Sequence, residues 1–222
     1  ARVEAVVGDE PPAANEVFGK TLKLKHDHPY LATRGLPPKR AKYWGIGWVP
    51  RGLLRSRIGV PIRNRDGDIV AYMGRTLKED DPSGKWRFPN GFQKRLELFN
   101  VDRVAQDEET RTAVAQHGII VTEGCFDAVW LSEHGFKNVV STMGSDVSDV
   151  QCKMLVDREL NPTRRVTIFF DADEAGRRGR KDLCGKLVYD AFVRYVDLRR
   201  VNTEGRSDPD QFTKEELTRL LS

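Results

Sequence analysis

From Gly118 onward the apolar residues fall into short runs separated by longer stretches with helical spacing. Ile119 to Thr122, Asn138 to Thr142, Val166 to Phe170 and Val193 to Leu198 predict strands, the first of them fully buried. Phe126 to His134, Val147 to Leu160, Glu174 to Tyr189 and Lys214 to Leu221 predict helices, the first turning Phe126, Val129 and Trp130 inward. Strands that alternate with helices imply a mainly parallel sheet flanked by helices.

Before Gly118 the pattern changes. Asn15 to about Leu36 predicts short helices, stopped by Arg34-Gly35-Leu36 ahead of Pro37-Pro38, and Lys39 to Trp44 predicts another. Arg57 to Arg63 and Ile69 to Met73 are apolar runs around Asn64-Arg65-Asp66-Gly67-Asp68, and Asp-Gly between two such runs is a hairpin signal. An irregular, basic and aromatic region follows to about Asn100, with a turn at Pro82-Ser83-Gly84; charged Asp102 to Gln116 predicts one helix joining the halves. The expected fold class is therefore α/β: a linker or disordered terminus over 1–14, an α+β subdomain over 15–115, and an α/β subdomain over 116–222.

Composition narrows this only slightly. With 222 residues and 39% apolar content the chain can bury one large domain, or two small subdomains sharing a cleft. No apolar stretch is long enough to cross a bilayer, and Ala1 to Glu10 lacks both an initiator Met and a secretory pattern, so a cytoplasmic fragment is expected. Cys125, Cys152 and Cys184 form no C-x-x-C pair and the four histidines do not complete a set, so no zinc site is expected.

Charge changes the picture more. Residues 1–100 carry 19 Lys or Arg against 11 Asp or Glu, whereas residues 101–222 carry 18 against 22. A basic half suits a polyanion and an acidic half suits cations.

Three acidic pairs stand where predicted strands end: Glu123 with Asp127, Asp171 with Asp173, and Asp208 with Asp210. In open parallel sheets functional groups gather at such edges. Glu123 and Asp127 share a face at i, i+4, whereas Asp-x-Asp converges only if the chain turns there. Any one pair fits a solvated loop. All three on one sheet edge would repel one another without cations, and hard divalent ions with oxygen ligands, Mg²⁺ or Mn²⁺, answer that need.

Residues 34–95 hold 15 Lys or Arg, among them Arg34, Arg57, Arg63, Arg75, Lys85 and Lys94, interleaved with aromatic residues. Guanidinium groups pair with phosphates and exposed rings stack on unpaired bases. Trp86, between Lys85 and Arg87, is the aromatic residue expected to be exposed; Trp44 and Trp48 fit a core.

Glu123-Gly124-Cys125-Phe126-Asp127, Met143-Gly144-Ser145, Phe170-Asp171-Ala172-Asp173-Glu174-Ala175-Gly176 and Asp208-Pro209-Asp210 resemble the Toprim fold of primases, topoisomerases and some nucleases. Tyr30 to Leu36, Trp44 to Trp48, Arg57 to Arg63, Tyr72-Met73-Gly74-Arg75 and Phe92 to Phe99 are similar to the basic N-terminal subdomain of the DnaG-type primase core. The resemblance implies a DNA primase core that makes short RNA primers on single-stranded DNA from ribonucleoside triphosphates. It implies that Glu123, Asp127, Asp171 and Asp173 act in catalysis, that Glu123, Asp171, Asp173, Asp208 and Asp210 hold the metal, and that Glu123 acts either on a metal or in proton transfer. Arg34, Arg57, Arg63, Arg75, Lys85, Trp86 and Lys94 would bind template and nucleotide.

Two positions depart from the family: Ser145 replaces the usual Thr, and Ser207 stands where Lys is frequent. The family's zinc-binding and helicase-binding domains have no counterpart here, so a replicative helicase would be met through regions absent from these residues; no membrane partner is implied. The alternatives are a Toprim metal-dependent nuclease, a topoisomerase-like DNA-processing enzyme, and a non-catalytic single-stranded DNA-binding module.

Overall fold

The computed structural model describes residues 14–200 and 205–221. The expected terminal linker lies outside the described residues except for Ala14.

The first half is built on an antiparallel sheet, β1 (Gly47–Trp48), β2 (Arg57–Arg63), β3 (Ile69–Thr76) and β4 (Trp86–Arg87), in that spatial order. The hairpin between β2 and β3 closes through Asn64, whose side-chain oxygen accepts from the Asp66 and Asp68 amides at 3.1 and 2.9 Å. Gly67 supplies the positive φ of 87° that the turn requires. Ile58, Val60 and Ile62 enter the main core. Gly59 faces the other way, where a β-carbon would lie 2.8 Å from Val49 Cγ2, so its bareness lets Val49 and Leu24 cover that face.

Only one helix, α1 (Pro29–Thr33), forms within the stretch expected to be helical from Asn15 to Leu36. The segment before it forms no regular element instead, apart from an isolated bridge in which Lys25 exchanges backbone bonds with Trp48 at 3.0 and 2.8 Å. Next comes α2 (Pro38–Trp44), which ends on left-handed Gly45. The expected single helix over 102–116 is two, α3 (Val101–Gln106) and α4 (Glu108–His117). Asp107 breaks it: its carboxylate accepts from the Thr110 amide at 2.9 Å and hydroxyl at 2.7 Å, which starts a new helix.

The second half contains β5 (Ile119–Thr122), α5 (Cys125–Glu133), β6 (Val139–Ser141), α6 (Asp149–Val156), β7 (Arg165–Ile168), α7 (Glu174–Leu187), β8 (Phe192–Tyr195) and α8 (Lys214–Leu221). Its strands form a parallel sheet in the order β6-β5-β7-β8. α6 starts two residues later than its sequence predicts because Ser148 and Gln151 form a capping box there, and it ends at Val156 because Asp157 turns to an extended backbone.

One apolar core serves both halves: Leu31, Trp44, Ile58 and Met73 of the first belong to the same cluster as Ile120, Ala128, Phe169 and Phe212 of the second. A second cluster covers the other face of the parallel sheet, joining Val121, Val140 and Ile168 to Val114, Leu155 and Leu183. Burying a side chain such as Phe169, fully enclosed here, contributes roughly 1.5–3 kcal/mol. Arg40 of α2 also reaches Glu133 of α5, donating from Nε to Oε2 at 2.6 Å, so the halves are pinned by polar contacts too. Among the described residues no helix is long and apolar enough to cross a membrane.

Candidate active site

The carboxyl ends of β5 and β7 lie side by side, and the three acidic pairs meet there. Glu123 follows β5 directly, while Asp127 sits in the first turn of α5. Asp171 and Asp173 follow β7, and the chain turns between them because Asp173 caps α7, accepting from the Gly176 amide at 2.7 Å. The Ala172 amide donates to the Ser207 carbonyl at 2.8 Å, drawing the Asp208-Pro209-Asp210 segment against this turn. Asp208 opens a 3-10 turn over Pro209–Gln211 and accepts from the Ser207 hydroxyl at 2.9 Å.

Two glycines make room for this crowding. A β-carbon at Gly124 would lie 2.2 Å from Asp127 Oδ2, and one at Gly176 would lie 2.4 Å from Glu123 Oε1. Ser141 steadies the backbone: its hydroxyl donates to the Glu123 carbonyl at 2.8 Å and accepts from the Met143 amide at 3.0 Å.

The electrostatic consequence is large. Burial, followed by the negative charges of Asp171, Asp173 and Asp208, pushes the Glu123 carboxyl up to about 8. Burial, with Asp208 and Asp173, pushes Asp171 to about 7 against the opposing charge of Lys85. Asp127, only 8% exposed, is raised well above the ordinary range by burial and then by Asp171, Asp210 and Asp208, with Arg34 opposing.

Glu123 Oε1 and Asp171 Oδ1 are buried without a hydrogen-bond partner. Two orphaned carboxylate oxygens amid like charge are what a bound cation would relieve, so the donor chemistry fits a hard divalent ion. Among the described residues no group of three acidic, His or Cys side chains stands in an arrangement that would itself hold a metal ion.

The basic half contributes a wall to this edge. Arg34 pairs with Asp210 and donates to the Tyr30 hydroxyl at 3.0 Å. Arg75 lies within 5.6 to 5.9 Å of the rings of Trp86, Tyr30 and Phe126, and its buried Nε has no partner. Lys94 Nζ donates to the Met143 carbonyl at 3.1 Å, on the turn that follows β6. Trp86 is half-buried instead of exposed, because its ring stacks on Phe126 at 6.0 Å.

Two expected groove residues stand elsewhere. Arg57 is 6% exposed and spends its donors on Asp81, Ser83 and the Gly74 and Gly84 carbonyls, which makes it an anchor of the antiparallel sheet. Arg63 donates to the Gly67 carbonyl at 2.7 Å and approaches Asp102 at 3.9 Å, bracing the hairpin turn against α3. Conversely, sequence reasoning overlooked Tyr30, which holds Arg34 and faces Arg75; its place four residues before Arg34, on the next helical turn, was the available signal.

A family model described as Toprim-like matches residues 120–213. The DNA primase of Synechococcus elongatus is 30% identical over 174 residues, which cover 76% of this chain and 23% of that one. The zinc-binding and RNA polymerase domains of Aquifex aeolicus primase superpose with a TM-score of 0.71 at 27% identity, over 86% of this chain and 54% of that one. The chain belongs with the DnaG-type primase catalytic cores. A DnaG primase catalytic domain bound to single-stranded DNA has the same fold, with a TM-score of 0.70 at 22% identity over 88% of this chain and 72% of that one. The chain thus spans well under two thirds of the length of the first relatives it matches.

Within this primase core the two family departures stand beside the acidic edge. Ser207 uses its hydroxyl to orient Asp208. Ser145 packs against α7 at Gly179, where a β-carbon would lie 2.3 Å from the Ser145 carbonyl, so a close helix approach holds the Met143-Gly144-Ser145 turn beside the acidic edge.

Proposed function

We propose that this chain is the polymerising core of a DNA primase, joining ribonucleoside triphosphates into short RNA primers on a single-stranded DNA template with Mg²⁺ or Mn²⁺. The observation that carries the reading is the pair of orphaned buried oxygens on Glu123 and Asp171, set in an edge of six carboxylates and facing a basic, aromatic wall. Glu123, Asp171, Asp173, Asp208 and Asp210 would hold the ions, with Asp127 buried behind them. Bound there, a divalent ion supplies Lewis-acid stabilisation to a transferring phosphoryl group.

The remaining residues bind and orient. Lys85, opposed to Asp171, offers charge to the triphosphate. Arg75, caged by three rings with Nε unpaired, presents a guanidinium whose geometry suits two phosphate oxygens. Arg34, Lys94 and Trp86 line the approach for the template. The reading carries a cytoplasmic location, and it leaves contact with a replicative helicase to regions that have no counterpart in these residues.

The test is incubation with single-stranded DNA, Mg²⁺ or Mn²⁺ and labelled ribonucleotides, beside Asp171→Asn. Template-dependent RNA from the parent chain and none from the variant is expected. Equal product from both would remove the acidic edge from the reaction, and DNA cleavage without nucleotide would favour a nuclease.

A further inference from the structure

The acidic half carries a basic face that the site above does not use. Residues 174–200 hold eight Lys or Arg against four Asp or Glu, although the half as a whole is net acidic. The cations are concentrated where α7 meets β8. Arg177, Arg178, Arg180, Lys181 and Arg199 line a groove of about 530 Å³ with Cys184 and Tyr195. Arg177, Arg180, Lys181 and Cys184 follow helical i, i+3, i+4, i+7 spacing, so one face of α7 forms the wall over about 10 Å.

The pairing within the groove is unequal. Arg178 pairs with Glu174 at 3.0 Å, and Arg180 and Arg199 share Asp197 at 3.5 and 3.3 Å. Arg177 and Lys181 are exposed and have no acidic partner among the described residues. Tyr195 carries the Arg180 guanidinium 4.5 Å from its ring centre yet remains 49% exposed. Unpaired cations beside an open ring are the elements of a single-strand site, phosphates on one and a base on the other. The groove is also placed for a strand that reaches the acidic edge, since Arg177 lies one helical turn beyond Asp173.

We propose that the α7–β8 groove is a second binding surface for single-stranded nucleic acid, in which Arg177 and Lys181 take backbone phosphates and Tyr195 stacks on an unpaired base. It guides strand leading to or from the acidic edge, and in that respect it rests on the primase reading. The basic wall of the first half grips the strand at the site, and the groove extends the grip along α7.

The test measures binding of a long oligothymidylate and a long oligouridylate across a salt series, with the full chain and with Arg177→Ala/Lys181→Ala. Both side chains are exposed, so the variant is expected to unfold at the parent's urea midpoint. Loss of two phosphate contacts lowers the log–log salt slope by about 1.4 and weakens binding about tenfold at moderate salt. Arg177→Lys/Lys181→Arg, which keeps the charges, restores the slope, and photocrosslinks from a halogenated pyrimidine strand map to Tyr195. The DNA and RNA arms tell which strand the groove prefers. An alanine variant with the parent's slope on both strands overturns the proposal. So does a variant that loses affinity only for polyglutamate, since the groove would then serve an acidic protein segment. If strand binding responds as expected while the parent makes no primer, the groove stands and the primase reading falls.

Discussion

Glu123 and Gly176 meet so closely at the carboxyl edge of the parallel sheet that a β-carbon at position 176 would lie 2.4 Å from Glu123 Oε1. The same carbon would lie 2.3 Å from the Asp171 carbonyl, which is backbone and cannot swing aside. Gly176→Ala should therefore cost roughly 1–3 kcal/mol through overpacking, despite the better helix propensity of Ala. By displacing Glu123 it should also lower primer synthesis on the order of a hundredfold. Gly185, in the same helix with nothing within 4 Å of its β-carbon position, is the control. Gly185→Ala should add roughly 0.5–1 kcal/mol and leave synthesis unchanged. Urea unfolding and a primer assay on both variants check the pair; equal shifts in stability would show that propensity, and not the contact, governs position 176.

Arg57 tests the line between anchor and groove. Its guanidinium is tied to Asp81 and Ser83 at 2.5 and 2.6 Å inside the first sheet. Arg57→Ala should lower the urea midpoint markedly, because it removes a buried side chain together with its bonds to Asp81, Ser83 and the buried Gly74 carbonyl. It should leave the salt slope of single-strand binding at the parent value. Lys85→Ala should do the reverse, lowering the slope by about 0.7 with little change in the midpoint.

The contrast between those two residues marks how far the sequence could be read. Periodicity located the parallel sheet and its helices because the apolar runs of β5 and β7 have no other use. The acidic edge was legible for the same reason, since strand ends and helix starts fixed where Glu123, Asp171 and Asp208 would stand. Composition could not say which way a basic side chain of the first half points. Arg57 and Arg75 sit on neighbouring strands, yet Arg57 is enclosed by the Asp81–Gly84 turn, whereas Arg75 is stacked against rings from three different elements. Such enclosure is set by a loop that folds back, and no local pattern encodes it. The break at Asp107 was readable in principle from the Asp-Glu-Glu-Thr spacing, but the continuous charge of 102–116 masked it.

Crowding of carboxylates makes a trade between stability and function at Asp171. Its neighbours Asp208 and Asp173 repel it, and one of its oxygens is buried without a partner. In the absence of divalent ions Asp171→Asn should therefore melt at a higher temperature than the parent. Adding Mg²⁺ or Mn²⁺ should raise the parent's melting temperature, by a stabilisation of about 2.7 kcal/mol at a hundredfold excess over the dissociation constant, and should move the variant far less. Calorimetry with and without the ion checks both parts, and a variant stabilised as much as the parent would mean that the ion binds elsewhere.

Glu133 gives a pH dependence that the active site does not share. Burial alone would raise its carboxyl, but hydrogen bonds from Arg40 and Trp44 hold it below the usual range. Arg40 donates at 2.6 Å and Trp44 Nε1 at 2.7 Å, joining α2 of the first half to α5 of the second. A carboxyl whose folded value is depressed stabilises the fold fully above its unfolded value of about 4.3, and that contribution disappears as the pH falls through the lower folded value. Glu133→Gln should thus cost roughly 1–2 kcal/mol near neutral pH, and no more, because water screens an Arg40 that is 36% exposed. The gap between parent and variant should begin to narrow as the pH falls below about 4.3 and close once it has passed the lower folded value, where the parent's carboxyl is neutral as well. Urea midpoints measured for both proteins down an acid series follow this directly. A gap that persists unchanged at the lowest pH would place the effect in packing around Trp44 and not in the charge that Glu133 carries.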